Sequence, residues 1–141
     1  MIVVDASVGV KWFVPEVHAA EARQWRAVAN LHTLSVFFDI EIANVVWKKL
    51  QRGELNRAEA DAILAALPAL PLARQAEMPL IAEAFDLAAQ SGRTVYDCLY
   101  LALASQLGGK VVTADQRLYN SLAASAWASL VVWVGDVPMP P

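Results

Sequence analysis

A single cysteine, Cys98, excludes an internal disulfide, and the only two histidines, His18 and His32, leave no Cys/His spacing of the kind that holds zinc. A reducing cytoplasm is the expected compartment. The opening MIVVDASVGVKW has no basic leader ahead of its apolar run and meets Asp5 at once, so it reads as a core strand, with the mature chain expected to begin here. Long apolar runs are missing as well. The most apolar stretch, Ala62 to Ala73, is interrupted by Pro68 and Pro71 and falls short of the roughly 20 residues that a membrane-crossing helix takes, so no membrane role is expected. Positive charge is not in excess: a formal charge of -3 argues against a general electrostatic nucleic-acid binder. No internal repeat, low-complexity segment or tight hairpin signal is found.

What is present is hydrophobic. Apolar residues make up 57% of the 141, and mean hydropathy is +0.41, high for a chain with no membrane segment. One domain of this size buries roughly two thirds of the surface its unfolded form exposes and needs no covalent staple. The apolar surplus is expected at protein interfaces, and the five tryptophans point the same way. Trp12 and Trp25 fit a core or an interface equally well, and Trp47 reads as core.

Ile2 to Val4 is a β-rich run ending in Asp5, followed by an amphipathic Ser7 to Val14 that Pro15 stops. Ala19 to Asn30 reads as a second helix and Leu34 to Phe37 as a weak strand. Asp39 is placed as the cap of a third helix that runs to Arg52 and stops at Gly53, and Asn56 opens a fourth. An edge strand is expected at Leu70 to Ala73. Pro79 to Ser91, with Gly92 beyond it, is a helix; Thr94 starts another through Leu107 that is apolar on nearly every side and therefore buried. Lys110 to Thr113 and Val131 to Val134 are strands on either side of a helix from about Gln116 to Ala124. The alternation predicts an α/β three-layer sandwich, its mostly parallel five-stranded sheet covered by helices on both faces. Residues 1–136 form the expected domain, and Val137 to Pro141 a loose tail.

Four acids, Asp5, Glu41, Asp97 and Asp115, each fall where a strand has just ended or a helix is beginning, at the end of such a sheet where ligands bind. Taken singly each reads first as a helix cap or a first-turn acid. Taken together they imply a cation, because two unit charges about 4 Å apart repel by roughly 4 kcal/mol at an effective dielectric near 20, whereas a cap returns about 1 kcal/mol. Without these four, the fourteen acids fall to ten against eleven Lys and Arg, a nearly neutral remainder whose densest basic patch is Lys48, Lys49, Arg52 and Arg57. Asp39 reads as a cap and Cys98 as a small buried hydrophobe. Tyr96 and Tyr100 are candidates for stacking on bases, and Arg93 and Arg117 for gripping a phosphate.

V-V-D-A-S near the start, D-I-E-I-A-N-V-V-W-K in the third helix, T-V-Y-D-C-L-Y-L-A-L-A in the buried helix and V-V-T-A-D-Q-R-L after it resemble the PIN-domain ribonucleases, in order and over essentially the whole chain. The length and the last two motifs resemble more narrowly the VapC-type toxins of prokaryotic VapBC toxin-antitoxin pairs. The resemblance implies that Asp5, Glu41, Asp97 and Asp115 hold Mg²⁺ or Mn²⁺, that Ser7 and Thr113 hydrogen-bond those carboxylates, and that Asn44 lies one turn beyond Glu41. Hard oxygen donors suit magnesium, which shares its shell with waters and a substrate phosphate. It further implies metal-dependent cleavage of RNA, homodimerisation, and inhibition by a small cognate antitoxin lying across the hydrophobic surface near Trp12 and Phe13.

Other functions remain open. A catalytically silent PIN-like module would use the same sheet to bind a partner. A metal-dependent phosphatase of the haloacid-dehalogenase type needs a second aspartate two residues after the first, where this chain has Ser7. A receiver-like module wants adjacent acids after the first strand and a lysine after the last, and Val4 and Gly135 stand there instead.

Overall fold

A computed structural model describes residues 1–139; Pro140 and Pro141, the end of the expected tail, lie outside them. The strands are β1 (Ile2–Val4), β2 (Leu31–Leu34), β3 (Ala73–Gln75), β4 (Lys110–Thr113) and β5 (Val131–Trp133). They form one sheet in the order β3-β2-β1-β4-β5, and every pairing is parallel. Side chains alternate across a strand, so neighbours enter opposite layers. Val4 and Val112 face one core with Phe38, Ile42, Val46 and Trp25, and Val3 and Val111 face the other with Leu99, Leu101 and Leu103. Burying one such valine fully is worth about 1.5–3 kcal/mol. Both faces of the sheet are covered, as the parallel arrangement requires.

The helices are α1 (Ala6–Gly9), α2 (Ala19–Trp25), α3 (Phe37–Gln51), α4 (Arg57–Ala66), α5 (Ile81–Ser91), α6 (Val95–Leu107) and α7 (Gln116–Ala123). The first four contribute to the Val4 layer, and α5, α6 and α7 to the Val3 layer. Helix α6 carries a buried run from Cys98 to Ala104, matching its all-round apolar sequence. Close approach of α1 to α3 depends on Gly9: a Cβ there would fall 2.5 Å from Phe38 Cζ and 3.0 Å from Ile42 Cδ1.

Several boundaries differ from the sequence expectation. Helix α3 begins at Phe37, so Asp39 is inside its first turn and is not its cap. The cap comes from Glu77, whose Oε2 accepts from the amides of Val36 at 2.8 Å and Phe37 at 2.5 Å while its Oε1 accepts from Ser35 Oγ at 2.7 Å. Those bonds also withdraw Val36 and Phe37 from the expected strand, leaving β2 three residues earlier in the chain. Asp39 instead pairs with Arg74 at 2.8 Å, and Arg74 donates on to the Leu67 carbonyl. The edge strand runs from Ala73 to Gln75 because Leu70 is drawn into the core and Pro71 has no amide to give a ladder. Helix α2 ends at Trp25, and Asn30 takes a left-handed φ of 59° to turn the chain into β2.

Two tryptophan expectations are settled by packing. Trp12 and Trp25 are core, each indole N–H donating at 2.7 Å to a carbonyl, of Ala22 and Val134 respectively. Trp47, expected in the core, is 54% exposed on α3. The basic patch is partly neutralised, since Lys49 faces Glu16 and Glu54 and Arg57 faces Asp61.

Because Glu77 accepts from two backbone amides at the start of α3, Glu77→Ala is expected to lower the stability of the chain by about 1–2 kcal/mol. Asp39→Ala, which removes only a half-exposed ion pair, should cost less than about 1 kcal/mol. Urea unfolding midpoints of both variants check this. A larger loss for Asp39→Ala would return the capping role to Asp39.

Candidate functional site

Strands β1 and β4 lie side by side where the strand order reverses, and the crevice beyond their carboxyl ends is where an open parallel sheet binds ligands. Asp5 leaves β1 and Asp115 leaves β4, one on each side of that crevice. Asp5 caps α1: its Oδ1 accepts from the Val8 amide at 3.2 Å and from Ser7 Oγ at 2.5 Å. Asp115 caps α7 by accepting from the Leu118 amide at 3.1 Å. Asp97 lies in the first turn of α6, where Thr94 Oγ1 accepts its backbone N–H at 3.1 Å. Capping and clustering are therefore the same arrangement, because the caps hold the acids at the rim.

Glu41 arrives from the opposite layer, on the second turn of α3, with Tyr100 donating to its Oε1 at 3.0 Å. Tyr100 is buried in α6, so it cannot stack on a base as its sequence position suggested. Its spacing was the available signal: Tyr100 follows Asp97 by three residues and shares its helix face. Ser7 bonds Asp5 directly and also accepts the Ala114 amide at 2.9 Å. Thr113 Oγ1 lies 3.3 Å from Ser7 Oγ and accepts the Asp115 amide at 3.1 Å, tying the β1 and β4 exits together. Asn44 lies exposed one turn beyond Glu41. Cys98 is buried, as a small hydrophobe would be.

Burial pushes the Asp5 carboxyl up to about 6, against the pull of Ser7, Thr113 and the Val8 amide, and the charge of Asp97 adds to the rise. Burial likewise lifts Glu41 to about 7, with Tyr100 opposing and Asp5 and Asp97 adding. Asp97 is raised by burial and by the charge of Asp115, and Arg93 draws it back. Asp5 and Glu41 thus each lie within the field of Asp97, Glu41 also within that of Asp5, and Asp97 within that of Asp115. Among the described residues, no three Asp, Glu, His or Cys side chains form a ready-made cage for an ion. The donor set nevertheless fits magnesium or manganese, because magnesium is held by one or two carboxylates and completes its shell with waters and a substrate phosphate. A cation at this rim would relieve what burial and repulsion cost.

A sign follows for stability in EDTA. Asp5 and Glu41 bind protons more tightly folded than unfolded, so their contribution is full below about pH 4 and is lost as pH rises through about 6 and 7. The slope is at most about 1.4 kcal/mol per pH unit for each group. Glu77, whose carboxyl its hydrogen bonds hold below the usual range, acts oppositely and only at the acid end. Urea midpoints from pH 5 to 8 in EDTA should therefore fall with pH, and Asp5→Asn should flatten the slope. A flat or rising wild-type profile would mean that these carboxyls are not strained.

Comparison with known proteins gives the same assignment. The PIN domain family matches residues 2–121. The chain is 40% identical over 130 residues to Ribonuclease VapC3 of Pyrobaculum aerophilum, covering 87% of this chain and 95% of that protein. It superposes on the crystal structure of PAE2754 from Pyrobaculum aerophilum with a TM-score of 0.66 and 25% identity, covering 94% of this chain and 83% of that one. A toxin-antitoxin complex from Klebsiella pneumoniae has the same fold at a TM-score of 0.66 and 16% identity, over 94% and 96% of the two chains. By family match, by identity across most of its length and by the acids its sheet brings to one rim, this chain belongs to the PIN-domain family, as a protein of the VapC type.

Proposed function

We propose that this protein is a metal-dependent endoribonuclease acting as the toxin of a toxin-antitoxin pair, with residues 1–136 as the nuclease unit, working in the cytoplasm. The observation that carries this is the convergence of Asp5, Glu41 and Asp97, all raised by burial, beside Asp115 at the sheet's switch point. Asp5, Asp97 and Asp115, with Glu41, would hold Mg²⁺ or Mn²⁺. When bound, such an ion activates water as a nucleophile and stabilises charge developing on a phosphoryl oxygen. Ser7 keeps Asp5 in one orientation, and Thr113 keeps the Asp115 turn beside it. Glu41 carries a second oxygen, Oε2, beyond the one engaged by Tyr100, and would offer it to the ion or to a water beside it. No histidine bonds to the four acids or adds to their charge field, which leaves proton transfer to the carboxylates.

The partners proposed are RNA as substrate, a small antitoxin and a second copy of the chain. The surface near Trp12 and Phe13, expected from sequence to receive the antitoxin, is closed: Trp12 is buried and Phe13 is half-buried against the core. The apolar groups left for protein contacts on α3 are Ile40 and Trp47, two turns apart on one helix face. No helix among the described residues is long and apolar enough to cross a membrane.

Asp5→Asn and Asp97→Asn test the site cleanly, since asparagine caps α1 about as well as aspartate and the cap of α6 is Thr94, while each change removes a charge. Both purified variants should lose magnesium-dependent RNA cleavage by about a hundredfold or more, with the growth inhibition seen on expression alone lost in parallel. Saturating magnesium should stabilise the wild type, by about 2.7 kcal/mol at a hundred times its Kd, and the variants much less. Near wild-type cleavage by both variants, or cleavage that persists in EDTA, would sink the assignment. Magnesium binding without any cleavage would instead favour the catalytically silent module.

A further inference from the structure

Tyr96 is 62% exposed, and its ring lies nearly parallel to that of Phe37, with centroids 5.1 Å apart and an interplanar angle of 11°. The two rings come from different helices. Phe37 opens α3 one turn before Glu41, and Tyr96 immediately precedes Asp97 in α6. Phe37 is half-buried against the core beneath, and its backbone amide is bonded to Glu77, so the lower ring is fixed. The upper ring stacks on Phe37 and is otherwise largely open to solvent. From this geometry we propose, building on the ribonuclease assignment above, that Phe37 and Tyr96 form a stacking platform for a nucleobase next to the scissile phosphate.

The chemistry favours a base over other occupants. A base presents a flat, neutral π-face, which suits a parallel aromatic ring and meets no repulsion from the neighbouring acids. One sugar separates base from phosphate, and Phe37, four residues before Glu41, shares its face of α3, so a base stacked on this pair would carry its phosphate toward the acids. Exposed Val36 and Met78 flank Glu77 in sequence or by hydrogen bond, so a contact between copies is the competing outcome to be tested.

The experiment uses single-stranded RNA of mixed sequence carrying 2-aminopurine, whose fluorescence is quenched by stacking. On rapid mixing with the wild type in magnesium, quenching should precede cleavage. Tyr96→Ala should abolish the rapid quench and raise KM by about five- to a hundredfold, more than it lowers kcat. Tyr96→Phe should recover the quench and most of the lost affinity, and Phe37→Leu should give a smaller loss than Tyr96→Ala. Sedimentation velocity and circular dichroism accompany each variant. Unchanged quench and KM in Tyr96→Ala would overturn the platform. So would a KM change that follows an altered association state, which would assign the rings to a contact between copies. A wild type that quenches the RNA but never cuts it would remove the nuclease assignment and leave the platform standing; neither quench nor cleavage would remove both.

Discussion

Like charge held out of water is the constraint around which this molecule is arranged. Carboxylates brought to one rim of a sheet repel one another, and a dry setting makes each harder to ionise. Three of the four acids are placed where that cost is partly offset. Asp5, Asp97 and Asp115 all stand at helix N-termini, where backbone N–H groups and the helix dipole favour negative charge. Glu41 has no such position. It sits a full turn inside α3, relies on one tyrosine hydroxyl, and is lifted to about 7.

The same arrangement explains why the connections around the site are so heavily tied. Ser7 and Thr113 link the exits of two adjacent strands through hydroxyls that bond to Asp5 Oδ1 and to the amides of Ala114 and Asp115. Across the rim, Glu41 can reach the others only if α3 is set correctly at both its start and its packed face. Glu77 fixes the start through the amides of Val36 and Phe37, and the bare backbone of Gly9 allows Phe38 and Ile42 to close on α1. A carboxylate that does no chemistry therefore positions one assigned to the reaction, and through Phe37 it also anchors the ring beneath Tyr96.

Much of the fold was legible because its signals are local. Thr94 before the apolar run of α6, Asn56 before α4 and Gly92 after α5 mark helix ends with the residue that each end needs, and the structure has all three. The β-branched runs at Val3–Val4 and Val111–Val112 announce a sheet covered on both sides. Where the sequence misled, a distant group had displaced a local one. Asp39 has the composition of a cap, but Glu77 reaches the α3 amides first. Trp47 has the composition of a core residue, yet no element among the described residues buries it.

The order and spacing of Asp5, Glu41, Asp97 and Asp115, and the helix starts on which three of them stand, were determined by the sequence alone, because strand ends and helix caps depend on residues a few positions away. Their common field was decided only by the tertiary structure, through a strand order that sets β4 beside β1 and a packed α3 that carries Glu41 over from the other layer. The fate of the aromatic residues was decided there too. Trp12 and Tyr100 are buried and Tyr96 is open because burial depends on which helix faces meet across the sheet, and that is a property of contacts between residues far apart in the chain.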